Sequence, residues 1–175
     1  MEHSIALLRH TFTEVIITGE KRRGTVWVTS LTVGKRAREM VHSSGRKISR
    51  NRNDLDDVVR TVDDYLNGAV IDLSSIPVDI TDRTPFQKKV LTAAQGIPYG
   101  TTCSYAQLAQ QVKSPAAVRA VASVMRRNPV ALIIPCHRIV RSDGSIGGYC
   151  GSLTGEDVQL KKRLLAMEAH NIGTC

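Results

Sequence analysis

Apolar and polar positions follow two different periods along this chain, and the change of period divides it near residue 80. In the first half, two runs rich in β-branched residues, 14–18 and 25–33, flank a polar stretch at 19–24, which is the signature of a hairpin. Leu55, Val58, Val59, Val62, Tyr65 and Leu66 then recur at helical spacing between Asn53-Asp54 and Gly68. That pattern predicts a capped amphipathic helix packed on the hairpin sheet. Residues 35–52 are basic, contain Gly45 and show little apolar character, so they read as a solvated surface loop. Residues 69–82, with Pro77, read as an irregular crossing into the second half.

There the helical period takes over. Thr84-Pro85 is a threonine cap with proline at the first helical position, Phe86, Val90, Leu91 and Ala94 form the buried stripe, and Gly96 and Pro98 end the helix. Ser104 and Gln107 form a capping box for a short helix to about residue 112. Lys113-Ser114-Pro115 makes a tight turn into a helix over about 116–127, stopped by Asn128-Pro129. Two helices joined so closely predict a helix-turn-helix unit. In the second helix Val118, Val121, Ala122 and Met125 point inward. Ala116, Arg119, Ala120, Ser123, Arg126 and Arg127 share the outer face, where small side chains between arginines allow close approach to a phosphate backbone. An apolar strand at 130–134 follows, then an Asp143-Gly144 turn that folds Gly147-Gly148-Tyr149 back. Thr154 with Asp157 caps a last helix in which Val158, Leu164, Leu165 and Ala169 face the core and Lys161 and Lys162 face water. The fold class is α+β: a small sheet with a packed helix over 1–80, and a mostly helical, winged-helix-like unit over 81–175.

Composition narrows the partner. Lys and Arg outnumber Asp and Glu 24 to 16, for a net charge of +8 and a pI near 9.6, which favours a polyanionic partner such as nucleic acid or an anionic membrane surface. No stretch reaches the roughly 18–20 apolar residues of a membrane span, and no signal peptide opens the chain, so a soluble intracellular protein is expected. Cys103, Cys136, Cys150 and Cys175 lack the CxxC spacing of a zinc site and fit free thiols in a reducing compartment.

The candidate chemistry sits at Pro135-Cys136-His137-Arg138, a cysteine beside an imidazole directly behind the apolar run. That arrangement suits a thiolate nucleophile. It also suits a buried structural cysteine or a cysteine hydrolase, and the helices alone fit a non-catalytic helix-turn-helix DNA-binding protein.

The flanking motifs narrow these options. Ser104-Tyr105-Ala106-Gln107-Leu108-Ala109, Ala117-Val118-Arg119-Ala120-Val121, Met125-Arg126-Arg127-Asn128-Pro129, Ile134-Pro135-Cys136-His137-Arg138-Ile139 and Gly147-Gly148-Tyr149 occur in this order. Together they resemble the O6-alkylguanine-DNA alkyltransferases over about residues 85–169, roughly half of the chain. The first half matches that family only in general character, as a variable support domain.

The resemblance implies a monomer that binds double-stranded DNA carrying O6-alkylguanine through the minor groove, with Ala120, Ser123 and Arg126 against the backbone. It implies that Arg119 replaces an extruded nucleotide in the stack and that Tyr105 assists flipping and donates to the purine. Cys136 accepts the alkyl group irreversibly, His137 oriented by Glu168 draws off the thiol proton, and Asn128 braces the turn. The Cys150 amide donates to O6, the carbonyls of Cys136 and Ile139 accept from the exocyclic amine, and Tyr149 closes the glycine turn. No metal or organic cofactor is expected, because the damaged DNA is the alkyl donor. The zinc site that some members carry lacks its cysteines here, since none precedes Cys103. The implied location is the nucleus of a eukaryote or the cytoplasm of a bacterium or archaeon.

Overall fold

A computed structural model describes residues 2–43 and 54–172, and in it the chain forms two compact units. The first holds residues 1–79 together with 129–133; the second holds 80–128 and 134–175. The first unit therefore takes back a short segment from beyond the boundary that the sequence places near residue 80.

The first unit is built on an antiparallel sheet of three strands in the order β1 (Glu2–His10), β2 (Thr13–Arg22) and β3 (Thr25–Val33). The first strand escapes the sequence pattern because its inward positions are small, Ser4 and Ala6, while Ile5 is exposed. The expected turn at 19–24 is shorter than its polarity suggests. Arg22 pairs with Thr25, leaving Arg23 and Gly24 as a two-residue loop with positive φ at both positions. The polar end of β2 is held by charge: Arg22 Nη2 lies 2.6 Å from both Glu20 Oε2 and Asp79 Oδ2.

Part of the expected loop after β3 is a helix, α1 (Gly34–Ser43), anchored by the fully buried Ala37; residues 44–52 of that loop lie outside the described residues. One small apolar residue among charges gives too weak a periodicity to be read. α2 (Asp56–Leu66) buries Val62, Tyr65 and Leu66 and packs against β1. Its N-cap is Leu55, which makes no side-chain cap, and Asp54 instead accepts from Lys21 Nζ at 2.6 Å; Asn53 lies outside the described residues.

The apolar run at 130–134 is buried throughout but is not a strand. It makes one parallel bridge, from Val130 to Leu31, and then turns at Leu132, whose φ is 69°, with the Ile133 amide donating to the Ala131 carbonyl. A single bridge from Val78 to Val28 does the same for the crossing segment. Two short visits to β3 thus replace a fourth strand.

In the second unit, α3 (Pro85–Gln95) and α4 (Tyr105–Gln111) both begin with complete capping boxes, Thr84 with Gln87 and Ser104 with Gln107. α3 buries Val90, Leu91 and Ala94, while Phe86 is only half-buried. A single helical turn, Pro115–Ala117, joins α4 to α5 (Val118–Arg126), and α3, α4 and α5 pack on one another. The core side of α5 is Val121, Val124 and Met125; Val118 and Ala122, expected inside, are half-exposed. A short parallel ladder pairs β4 (Cys103–Ser104) with β5 (Ile139–Val140).

α6 (Glu156–Ile172) corrects three expectations. It starts beyond Thr154, and Asp157 accepts instead from the Ser152 hydroxyl at 2.8 Å. Its buried face is Asp157, Leu160, Lys161, Leu164 and Glu168, so Lys161 is in the interior and Ala169 is exposed. Among the described residues no helix is long and apolar enough to cross a membrane.

Two substitutions check this packing. Leu31→Ala, at a position 1% exposed, should lower unfolding stability by about 2–5 kcal/mol, and Thr84→Ala by only about 1 kcal/mol, both read by urea denaturation.

Candidate active site

Cys136 opens a single helical turn, Cys136–Arg138, between the apolar run and β5. Pro135 presets the entry, the Cys136 amide donates to the Ile134 carbonyl at 2.8 Å, and Asn128 Nδ2 donates to the same carbonyl at 2.8 Å. The Asn128 side chain also hydrogen-bonds the Cys136 sulfur. Because successive residues of so tight a turn diverge, Cys136 faces a cavity while His137 and Arg138 enter the interior, at 0% and 4% exposure.

What they meet there is Glu168. Its carboxylate accepts from His137 Nε2 at 3.0 Å, from Arg138 Nε at 3.0–3.1 Å and Nη2 at 2.8 Å, and from the Gly100 amide at 3.1 Å. Arg138 Nη1 goes on to the Ile97 carbonyl at 2.6 Å. Gly100 has a φ of 69°, a conformation that favours glycine, and a Cβ there would fall 1.8 Å from the Cδ1 tip of Ile172. With its proton directed at a carboxylate, Nε2 is the donor nitrogen of His137 and Nδ1 the acceptor. Burial lowers the His137 pKa, against the opposing pull of Glu168, so the ring is neutral at neutral pH.

The residue that sequence reasoning missed is Lys161. Fully buried, its Nζ donates to the Ile139 carbonyl at 2.5 Å and to the Gly148 carbonyl at 3.2 Å. Burial brings its pKa down to about 8, while negative charge at Cys136 and Cys150 works to raise it. A signal for it existed: Lys161 lies two helical turns before Glu168, on the same face. Its neighbour Lys162 is exposed as expected, and a Lys-Lys pair looks like solvation until the face of the helix is known.

The cavity measures about 300 Å³, within the range of a small-molecule site. Cys136 meets it together with Tyr105, with Arg119 and Arg126 from α5, and with Tyr149 and Cys150 from the glycine-rich return. That return is tied by reciprocal backbone hydrogen bonds between Tyr149 and Ser152, at 2.8 and 2.9 Å, and a Cβ at Gly148 would fall 2.6 Å from the Ser152 carbonyl. His137, Glu168 and Asn128 stand behind the cavity. Ile139 is buried off its wall, with its carbonyl engaged by Lys161; Ala120 and Ser123 lie on the part of α5 turned from it. Arg141, which no periodicity marks, adds a third arginine to the rim.

Burial pushes the Cys136 thiol above its ordinary range, while the Asn128 hydrogen bond, the Lys161 ammonium and the turn's own amide pull it down. Tyr105 is also raised, by burial first and by charge at Cys136 second, against Arg141. Its hydroxyl therefore stays protonated and able to donate.

Comparison with known proteins decides the family. The family described as "6-O-methylguanine DNA methyltransferase, DNA binding domain" matches residues 85–170. A methylated-DNA--protein-cysteine methyltransferase of Methanosarcina barkeri is 37% identical over 124 residues, which cover 70% of this chain and 73% of that one. The chain belongs to this family. The alkyltransferase of the same name from Methanothermobacter thermautotrophicus is 40% identical over 104 residues, 59% of this chain, and the match spans just over half (55%) of that relative's length. Among solved structures, the Mycobacterium tuberculosis OGT in complex with DNA aligns with a TM-score of 0.70 at 26% identity, covering 97% of this chain and 93% of that one. The alkyltransferase fold thus extends over the first unit, where the sequence resemblance is weak.

The electrostatics make a testable pH profile. Because its pKa is raised, Cys136 is mainly thiol at pH 7, and its alkylation by iodoacetamide should accelerate as pH rises through neutrality. Above about 8 the Lys161 ammonium deprotonates and withdraws its help, so the rise should flatten there. In Lys161→Met the flattening should vanish and the rate at pH 7 should fall about tenfold for each pKa unit the thiol gains, read by peptide mapping of Cys136.

Proposed function

We propose that this chain repairs DNA by transferring the alkyl group of O6-alkylguanine to its own Cys136, once per molecule. The observation that carries the reading is the placement of Cys136 in a cavity walled by the second helix of a helix-turn-helix unit, with the exposed Arg119 and Arg126 on that helix. A nucleophile beside a DNA-reading helix suits a base turned out of the duplex rather than a free metabolite. Family membership and the likeness to a relative solved with DNA support the same partner.

In this mechanism Arg119 fills the space left in the base stack, and the small Ala120 and Ser123 let α5 approach the phosphates, with Arg126 and Arg141 neutralising them. Sulfur attacks the alkyl carbon: the C–S bond forms as the C–O6 bond breaks, and the electron pair leaves with the purine. His137, neutral and oriented by Glu168, takes the thiol proton at Nδ1. Lys161 stabilises the thiolate, and Tyr105 donates a hydrogen bond to the leaving purine. The product is a thioether, and no group in the site reverses it. The alkyl donor supplies all the chemistry, so the reaction uses no cofactor. The activity belongs where the DNA is, in a nucleus or in the cytoplasm of a bacterium or archaeon.

Incubation with duplex DNA containing O6-methylguanine should place one methyl group on Cys136, stoichiometric with lesion loss and absent in Cys136→Ala. An intact lesion and unmodified Cys136 would sink the reading, and turnover on esters would point to a hydrolase. Arg119→Ala should slow repair of duplex DNA on the order of tenfold or more while sparing reaction with free O6-benzylguanine, because only the duplex has a stack to fill. Equal losses on the two substrates would remove Arg119 from that role.

A further inference from the structure

Two cysteines line the alkyl-acceptor cavity. Cys136 lines it from its helical turn, and Cys150 lines it from the glycine-rich return, half-buried and joined to Cys136 by no disulfide. The return is held in place by the Tyr149–Ser152 backbone pair and by Lys161 Nζ on the Gly148 carbonyl, so Cys150 belongs to the anchored wall. Lys161 is the common element. Its buried ammonium interacts electrostatically with both cysteines. Cys103, in contrast, lines a different, polar cavity with Gln107 and Gln110.

We propose that Cys150 is a second nucleophile of this cavity. It captures the far carbon of a transferred alkyl group that carries a leaving group on its second carbon, closing an ethylene bridge between Cys136 and Cys150. The proposal rests on Cys136 being the alkyl acceptor. With a 1,2-dihaloethane as donor, the Cys136 thiolate displaces the first halide and forms one C–S bond. The same sulfur then expels the second halide and closes a three-membered episulfonium ring. The Cys150 thiolate attacks a ring carbon; its C–S bond forms as one ring C–S bond breaks, and that electron pair returns to the Cys136 sulfur. Two thiol protons pass to solvent and two halide ions leave, so no oxidant or reductant enters. The internal thiol outcompetes water for the episulfonium because it already lines the cavity.

The test treats the full chain with 1,2-dibromoethane and maps its peptides by mass spectrometry. The expected product is a cross-link of the Cys136 and Cys150 peptides with one ethylene unit replacing two thiol hydrogens, and in Cys150→Ser an S-(2-hydroxyethyl) group on Cys136 instead. Wild-type protein that carries only S-(2-hydroxyethyl) on Cys136, or a bridge to Cys103, overturns the proposal. A parallel sample given O6-methylguanine duplex separates the two readings. Methyl on Cys136 without a bridge refutes only the second nucleophile, whereas no methyl on Cys136 refutes the acceptor assignment itself.

Discussion

The buried carboxylate of Glu168 is the contact on which the second unit's site depends. Taking a carboxylate and a guanidinium out of water costs several kcal/mol per ion, and only a network that satisfies nearly every donor offsets it. Here Arg138 meets Glu168 with its fork, His137 and the Gly100 amide add two more donors, and the remaining arm of Arg138 reaches the Ile97 carbonyl. The network ties the Cys136 turn to α6 and to the loop after α3, leaving the cysteine little freedom to rotate away from the cavity. Loss of one partner strands a buried charge, at a cost of about 3–5 kcal/mol.

That rigidity comes with a chemical cost. The burial that gives this rigidity also disfavours the thiolate, and it is the largest influence on Cys136. Three influences pull its pKa back down: the Asn128 side chain, the Lys161 ammonium and the turn's own amide.

Much of the second unit was legible because its signals are local. Capping boxes at Thr84 and Ser104, proline at the first turn of α3 and the Asp143-Gly144 turn each specify structure within a few residues. The first unit was read less well. β1 turns small residues inward, α1 is held by Ala37, and the run at 130–134 follows the usual composition of a strand yet turns at Leu132. Burial on every side produces the same unbroken apolar pattern whether the backbone is straight or bent.

The chain's sequence determined the candidate groups, Cys136, His137, Tyr105 and Arg119, and the order of helices that presents them, because reactive side chains and helix caps are properties of residue types at short spacing. The tertiary structure alone decided that Lys161 turns into the core instead of toward water and that Ile139 spends its carbonyl on that lysine. Each of these depends on which face of an element is covered by residues distant in sequence, and burial of that kind sets both the pKa of a group and the partners within its reach.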